Sequence, residues 1–112
     1  ACLPLLKQSD DAALVFTVDD LGRVGQAYWG GYGVAQHGLT SLVGMLHTEL
    51  ATSSVRVSAL QPGPMRTALR SRAYADDTDA QARDAGDYAA ACVTLLSSAG
   101  AIHRGQVWKV RA

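Results

Sequence analysis

Tyr32, a side chain able to move a proton where its surroundings allow, stands in this 112-residue sequence between Gly30-Gly31 and Gly33 at the start of an apolar run with helical spacing. A phenol gives or takes a proton near neutral pH only where positive charge nearby pulls its pKa down from about 10. The same residue beside the same glycines also packs at a helix start with no chemistry at all. A second group, Pro62-Gly63-Pro64-Met65-Arg66-Thr67, reads as a strand-ending turn followed by a hydroxyl able to cap a helix. His37, His47 and His103 have no ligand spacing to one another or to carboxylates, so they are expected as packed or solvated side chains and not as a metal site. Trp29 and Trp108 are expected in the core or at an interface.

The elements that must carry these residues follow from the hydrophobic pattern. Ala12-Ala13-Leu14-Val15-Phe16-Thr17-Val18 is short, apolar and rich in strand formers, as in a strand buried on both faces. Charge stops it at Asp19-Asp20, and a glycine-rich loop follows to Gly31. From about Tyr32 to Ala51, Val34, Leu39, Leu42, Val43, Leu46 and Leu50 recur with helical spacing and predict the long helix of the domain. Thr52-Ser53-Ser54 ends it, and Val55-Arg56-Val57-Ser58-Ala59-Leu60 predicts a second strand closing in the proline-glycine turn. Residues 65–83 read as a polar loop, with Arg66, Arg70 and Arg72 ahead of Asp76, Asp77 and Asp79, and one use of such a loop is a lid. A helix over about 84–98 and a strand over Gly105–Val110 complete an alternating order, which implies a parallel sheet with crossover helices. At the other end, Ala1-Cys2-Leu3-Pro4-Leu5-Leu6-Lys7 reads as the last turns of a helix that began earlier.

Composition narrows the function classes. Hydrophobic residues at 48% and charged residues at 18% describe one globular unit at most. Ten basic residues balance ten acidic ones and are spread along the chain, so no footprint for nucleic acid or an anionic membrane stands out. No apolar stretch approaches the length of a membrane span. Cys2 and Cys92 sit far apart in apolar runs, which suggests free thiols in a reducing, cytoplasmic compartment.

The ordered set of a buried strand, a glycine-rich loop, a Tyr opening a long helix and a strand ending in Pro-Gly-x-x-x-Thr resembles the short-chain dehydrogenase/reductase family over nearly the whole chain. The residues concerned are Leu14-Val15-Phe16-Thr17, Tyr32-Gly33-Val34-Ala35-Gln36, Val55 through Thr67, and Gly105-Gln106-Val107. The resemblance implies an α/β fold, a partial Rossmann-like parallel sheet of about three strands, with residues 1–112 as the C-terminal half of a single domain. The glycine-rich dinucleotide loop would belong to the first half, and no Gly-x-Gly-x-x-Gly follows a strand in this sequence.

What the resemblance implies for the site is a proton passed to or from a substrate oxygen while hydride moves to or from NAD or NADP. Tyr32 holds the place of the family's tyrosine. Gln36 stands where the family has a Lys, four residues on and on the same helix face, and offers no charge to a phenolate. Asp19 stands where the family has a Ser, and an ionised carboxylate there raises the phenol's pKa further. Pro62, Gly63, Met65 and Thr67 take the positions that meet the nicotinamide and pyrophosphate. The expectation is an NAD(P)-dependent oxidoreductase of a carbonyl or alcohol by descent, inactive as this chain. The alternatives are a non-catalytic oligomerising or binding module, with the stripe Leu39, Leu42, Val43, Leu46 and Leu50 of helix 32–51 facing a second copy, and a truncated remnant.

Overall fold

In the computed structural model, which describes residues 1–74 and 80–110, the chain alternates helices and strands around one parallel sheet. After α1 (Leu3–Gln8) come β1 (Ala12–Thr17), α2 (Leu21–Val24) and α3 (Gly30–Glu49). Then follow β2 (Val55–Pro62), α4 (Ala68–Ala73), a 3-10 turn (Ala85–Tyr88), α5 (Ala89–Leu96), a second 3-10 turn (Ser98–His103) and β3 (Val107–Val110). The strand order is β1-β2-β3, with Ala12 opposite Val55 and Thr17 opposite Leu60 on one side, and Ala59 opposite Val107 on the other. The α/β class and the parallel Rossmann-like sheet are as the sequence predicts.

β2 lies in the middle and is buried from Val55 through Leu60. Alternation sorts its side chains to two faces. Val55, Val57 and Ala59 enter a core with Ala12, Val18, Val43 and Leu50, lined further by Leu14, Phe16, Leu39 and Leu46. Leu60 enters a smaller one with Ala91 and Leu95, flanked by Val15, Cys92, Trp108 and Val110. α3 therefore covers one face of the sheet and α5 the other. Each fully buried Val or Leu here contributes up to about 1.5–3 kcal/mol.

Several boundaries differ from the sequence reading for identifiable reasons. α3 begins at Gly30 rather than Tyr32 and ends at Glu49 rather than Ala51, because Gly30, Gly31 and Gly33 belong to its first turns. Gly33 is required there by close approach: a Cβ would collide with the carbonyl oxygen of Val24 at the end of α2. The supposed loop 19–31 thus contains a turn of helix, whose cap is the Asp20 carboxylate accepting from the Gly22 N–H at 3.0 Å. The supposed loop 65–83 contains α4, capped by the Thr67 hydroxyl accepting from the Arg70 N–H. Asp76, Asp77 and Asp79 lie outside the described residues. The stretch read as one helix over 84–98 divides into a 3-10 turn and α5.

The stripe on α3 also needs correcting. Val43 and Leu50 are buried, and Leu39 and Leu46 pack on the same core, so these residues face the sheet and not a partner. The outward apolar residues are Val34, 74% exposed, Met45, 55% exposed, and Leu42, 38% exposed. Among the described residues, no helix is long and apolar enough to cross a membrane.

Candidate active site

The C-terminal ends of β1 and β2 open side by side, and the chain leaving each one supplies a wall of the same cavity. That cavity, of about 470 Å³, is lined by Asp19, Tyr32 and Gln36 on one side and by Pro62, Gly63, Met65 and Thr67 on the other. All seven residues singled out from the sequence therefore meet in one place. A crevice beyond the carboxyl ends of parallel strands is where open α/β sheets bind ligands.

Asp19 is the hub. Its side chain accepts from the Tyr32 hydroxyl at 2.7 Å through Oδ2, and from the Arg23 guanidinium at 3.0 Å and the Asp20 N–H at 2.7 Å through Oδ1. Its own backbone N–H donates to Oε1 of Gln36 at 3.0 Å. α3 sets the geometry: Tyr32 and Gln36 lie one turn apart on the face toward the end of β1, while α2, docked on Gly33, brings Arg23 to the carboxylate.

The charges settle as this geometry dictates. Burial, the hydrogen bond to Asp19 and the carboxylate's charge together push the Tyr32 phenol up to about 12, with Arg23 pulling weakly the other way. Burial alone would raise Asp19, but the hydrogen bonds from Tyr32, from the Asp20 N–H and from Arg23 outweigh it and hold the carboxyl below its ordinary value. At neutral pH the pair is a phenol donating to a carboxylate. The Tyr32 proton is committed to Asp19.

Sequence reasoning missed the cation. Tyr32 was expected to have none beside it, yet Arg23 is ion-paired to the carboxylate that Tyr32 touches. The signal was present in the spacing, since Asp19 and Arg23 stand at i and i+4. Trp29, expected in the core or at an interface, lines the cavity instead, with its ring 6.0 Å from that of Tyr32 and 5.7 Å from that of Tyr74. Leu69, Arg70, Arg72 and Tyr74 complete the outer wall from α4 and its exit, with the Arg70 guanidinium 4.9 Å from the Tyr74 ring centre.

The second wall is fixed from behind. The Tyr88 ring lies against Gly63, whose missing side chain leaves it room, and its hydroxyl reaches the Pro64 carbonyl at 3.4 Å. Met65 and Arg83 form a parallel bridge, and Arg66 ties the same segment to Asp84 at 2.8 Å. The histidines do unrelated structural work. His37 bonds the Gly33 carbonyl through Nδ1, His47 fills the space over Gly105, and His103 stacks on Trp108.

Comparison with known proteins places this arrangement in a family. Residues 1–78 match the short chain dehydrogenase family. The chain is 39% identical over 74 residues to the uncharacterized oxidoreductase YciK of Escherichia coli, covering 66% of this chain and 29% of that protein. It is 30% identical over 76 residues to the probable short-chain type dehydrogenase/reductase VdlC of Helicobacter pylori, covering 68% of this chain and 28% of that one. Among solved structures, a short chain dehydrogenase from Salmonella enterica superposes over 96% of this chain and 44% of its own, with a TM-score of 0.87 at 29% identity. A putative short chain dehydrogenase from Escherichia coli complexed with NADPH superposes over the same shares with a TM-score of 0.86, also at 29% identity. The chain belongs to the short-chain dehydrogenase family. It spans under a third of the length of these curated relatives and under half of the solved structures.

Among the described residues, this cavity would suit the nicotinamide end of a nicotinamide nucleotide. The turn Pro62–Pro64 with Met65 and Thr67 offers backbone and a hydroxyl along one wall of the cavity. A helix N-terminus with free N–H groups is a ready site for a pyrophosphate. The helix that follows β1 offers none of that kind, because the Asp20 carboxylate already occupies its N-terminus and would repel phosphate.

Proposed function

We propose that this chain descends from an NAD(P)-dependent oxidoreductase of a carbonyl or alcohol substrate and does not itself turn substrate over. The observation that carries this reading is the 2.7 Å hydrogen bond from the Tyr32 hydroxyl to Asp19. A catalytic phenol has to direct its proton at the substrate oxygen, and here the proton is held by a carboxylate that also disfavours the phenolate. Gln36, in place of a cation, spends its side-chain oxygen on the Asp19 N–H. Family membership and NADPH in a related structure support NAD or NADP as the ancestral cofactor, bound by this chain at the nicotinamide wall alone. Mixing the purified chain with NADH or NADPH and a panel of aldehydes and ketones tests the proposal. No absorbance loss above the enzyme-free rate is expected, and saturable turnover would overturn it.

A second reading, a non-catalytic module that pairs with its own copy, rests on the outward residues Val34, Leu42 and Met45 of α3. Exposed apolar side chains along one helix face favour a symmetric contact with the same face of another copy. Light scattering should then give a dimer that Met45→Glu shifts to monomer. Free thiols at Cys2 and Cys92 support a reducing, cytoplasmic setting. The evenly balanced charge gives no support for nucleic acid as a partner.

A further inference from the structure

We propose that a second cavity, on the face of the sheet covered by α3, binds a compact zwitterion: an amino acid whose ammonium meets Asp20 and whose carboxylate meets Lys109. The proposal goes beyond the reading above. Neither Tyr32 nor the turn from Pro62 to Thr67 lines this cavity, so it stands or falls apart from any nicotinamide chemistry.

Strand pairing places the donors. Gln61 on β2 lies directly opposite Lys109 on β3, as Ala59 lies opposite Val107 two residues earlier. Side chains alternate along a strand, so Gln61 and Lys109 share the face on which Ala59 and Val107 pack in the core beneath α3. Both line a cavity of about 160 Å³. Neither the Lys109 ammonium nor the Gln61 side-chain amide has a partner among the described residues. An ammonium and an amide N–H side by side make a site for a carboxylate.

The acceptors come from the other elements around the cavity. Asp20, in the turn leaving β1, commits Oδ1 to the Gly22 N–H at 3.0 Å, and its Oδ2 has no partner among the described residues. Thr40 on α3 donates its hydroxyl proton to the Gln36 carbonyl at 3.0 Å, which leaves the oxygen as an acceptor. The remaining polar side chain in the lining is Asp19, whose charge is met by Arg23 and whose oxygens hold the Tyr32 hydroxyl and the Asp20 N–H. One carboxylate and one ammonium are left over. They line the same small space and form no ion pair with each other. A ligand bearing both charges spans the gap that neither side chain closes, and Val18, Leu21 and Val107 give its methylenes an apolar wall. The volume suits a short amino acid and is too small for a nucleotide.

The test titrates the full chain with glycine, β-alanine and 4-aminobutyrate, which vary the span between the charges, and follows backbone amide shifts by two-dimensional NMR. Saturable shifts at Gly22, Gln61 and Lys109 are expected with at least one of the three. The simple acid and the simple amine of the same length each keep one charge, and each should bind at least about fivefold more weakly than that amino acid. Lys109→Met and Asp20→Asn should each weaken binding of the amino acid by a similar factor. Both variants keep the fold, because Lys109 is exposed and the asparagine retains the side-chain oxygen that caps α2. No saturable shift with any of the three amino acids would overturn the proposal, as would single-charge analogues that bind equally well or an affinity unmoved by both variants.

Discussion

The Tyr32 hydroxyl and Oδ2 of Asp19, thirteen residues apart in sequence, stand 2.7 Å apart across the mouth of the sheet, with the hydroxyl donating. The pair is asymmetric. Removing the phenolic proton would set two negative charges against each other, while removing the carboxylate would leave burial alone to hold the phenol up.

The Tyr32 phenol, held up at about 12, should therefore titrate late. Ultraviolet titration of its phenolate should show that late step, and Asp19→Asn should bring it down toward the ordinary value of about 10. The linked effect on stability has a definite sign. An acid whose folded pKa is raised adds stability that is complete below its unfolded pKa and fades as pH climbs from about 10 through 12. Asp19 acts oppositely: its lowered pKa adds stability present above its ordinary value of 3.8 and lost as pH falls through the folded one. A late group that stays late in Asp19→Asn would mean that burial alone, the largest contributor, holds the phenol up.

Restoring the family's residue types should not restore turnover. Gln36→Lys with Asp19→Ser returns the cation and the hydroxyl, but it removes the acceptor of the residue-19 N–H and the anchor of Arg23. The double variant also leaves the Asp20 carboxylate on the helix N-terminus after β1. Its NADPH oxidation rate with ketone substrates is expected at background. A rate well above that would show that cofactor binding needs no more than the nicotinamide wall.

The parts legible in the sequence were those written by local pattern. The apolar run 12–18 and the buried alternation 55–60 marked β1 and β2, because parallel strands covered on both faces leave no polar choice. The seven site residues came from the family resemblance, and they meet because the turns after those two strands lie side by side once the strands pair. What stayed illegible depended on contacts between segments. Gly33 reads as a loop residue until α2 is seen resting on it, and Val43 reads as an interface residue until its side of α3 is known. Arg23 is illegible from the helix that carries Tyr32, because the cation comes from the short helix before it. The outer wall from α4 arose where charged residues suggested only a loop.

Arg104 should be worth more than its place in a turn suggests. One of its terminal nitrogens approaches the carbonyls of Leu50 at 3.1 Å, Ala51 at 3.3 Å, Ser53 at 3.1 Å and Val55 at 3.3 Å. That nitrogen carries two protons, so two good bonds are shared among four acceptors at the end of α3. Arg104→Met keeps most of the stem and removes the donor. A loss of about 1–3 kcal/mol is expected in urea unfolding, with an unchanged denaturant slope. A loss under about 0.5 kcal/mol would mean that water replaces the guanidinium at no cost.

Gly33→Ala sets two effects of known size against each other. An alanine inside a helix gains about 0.5–1 kcal/mol over glycine. Here the added Cβ would strike the Val24 carbonyl, a backbone atom that cannot rotate away, and overpacking of that kind costs about 1–3 kcal/mol or more. The clash should win. α2 must then lift from α3, and because α2 carries Arg23 the strain reaches the site: the guanidinium draws back from Asp19. The variant should melt lower by several degrees in a calorimetric scan. The late phenol titration should shift upward, since the Arg23 charge that lowers the Tyr32 pKa recedes. A variant as stable as the parent, with its phenol unmoved, would show that α2 does not rest on Gly33 and that Arg23 reaches Asp19 by another route.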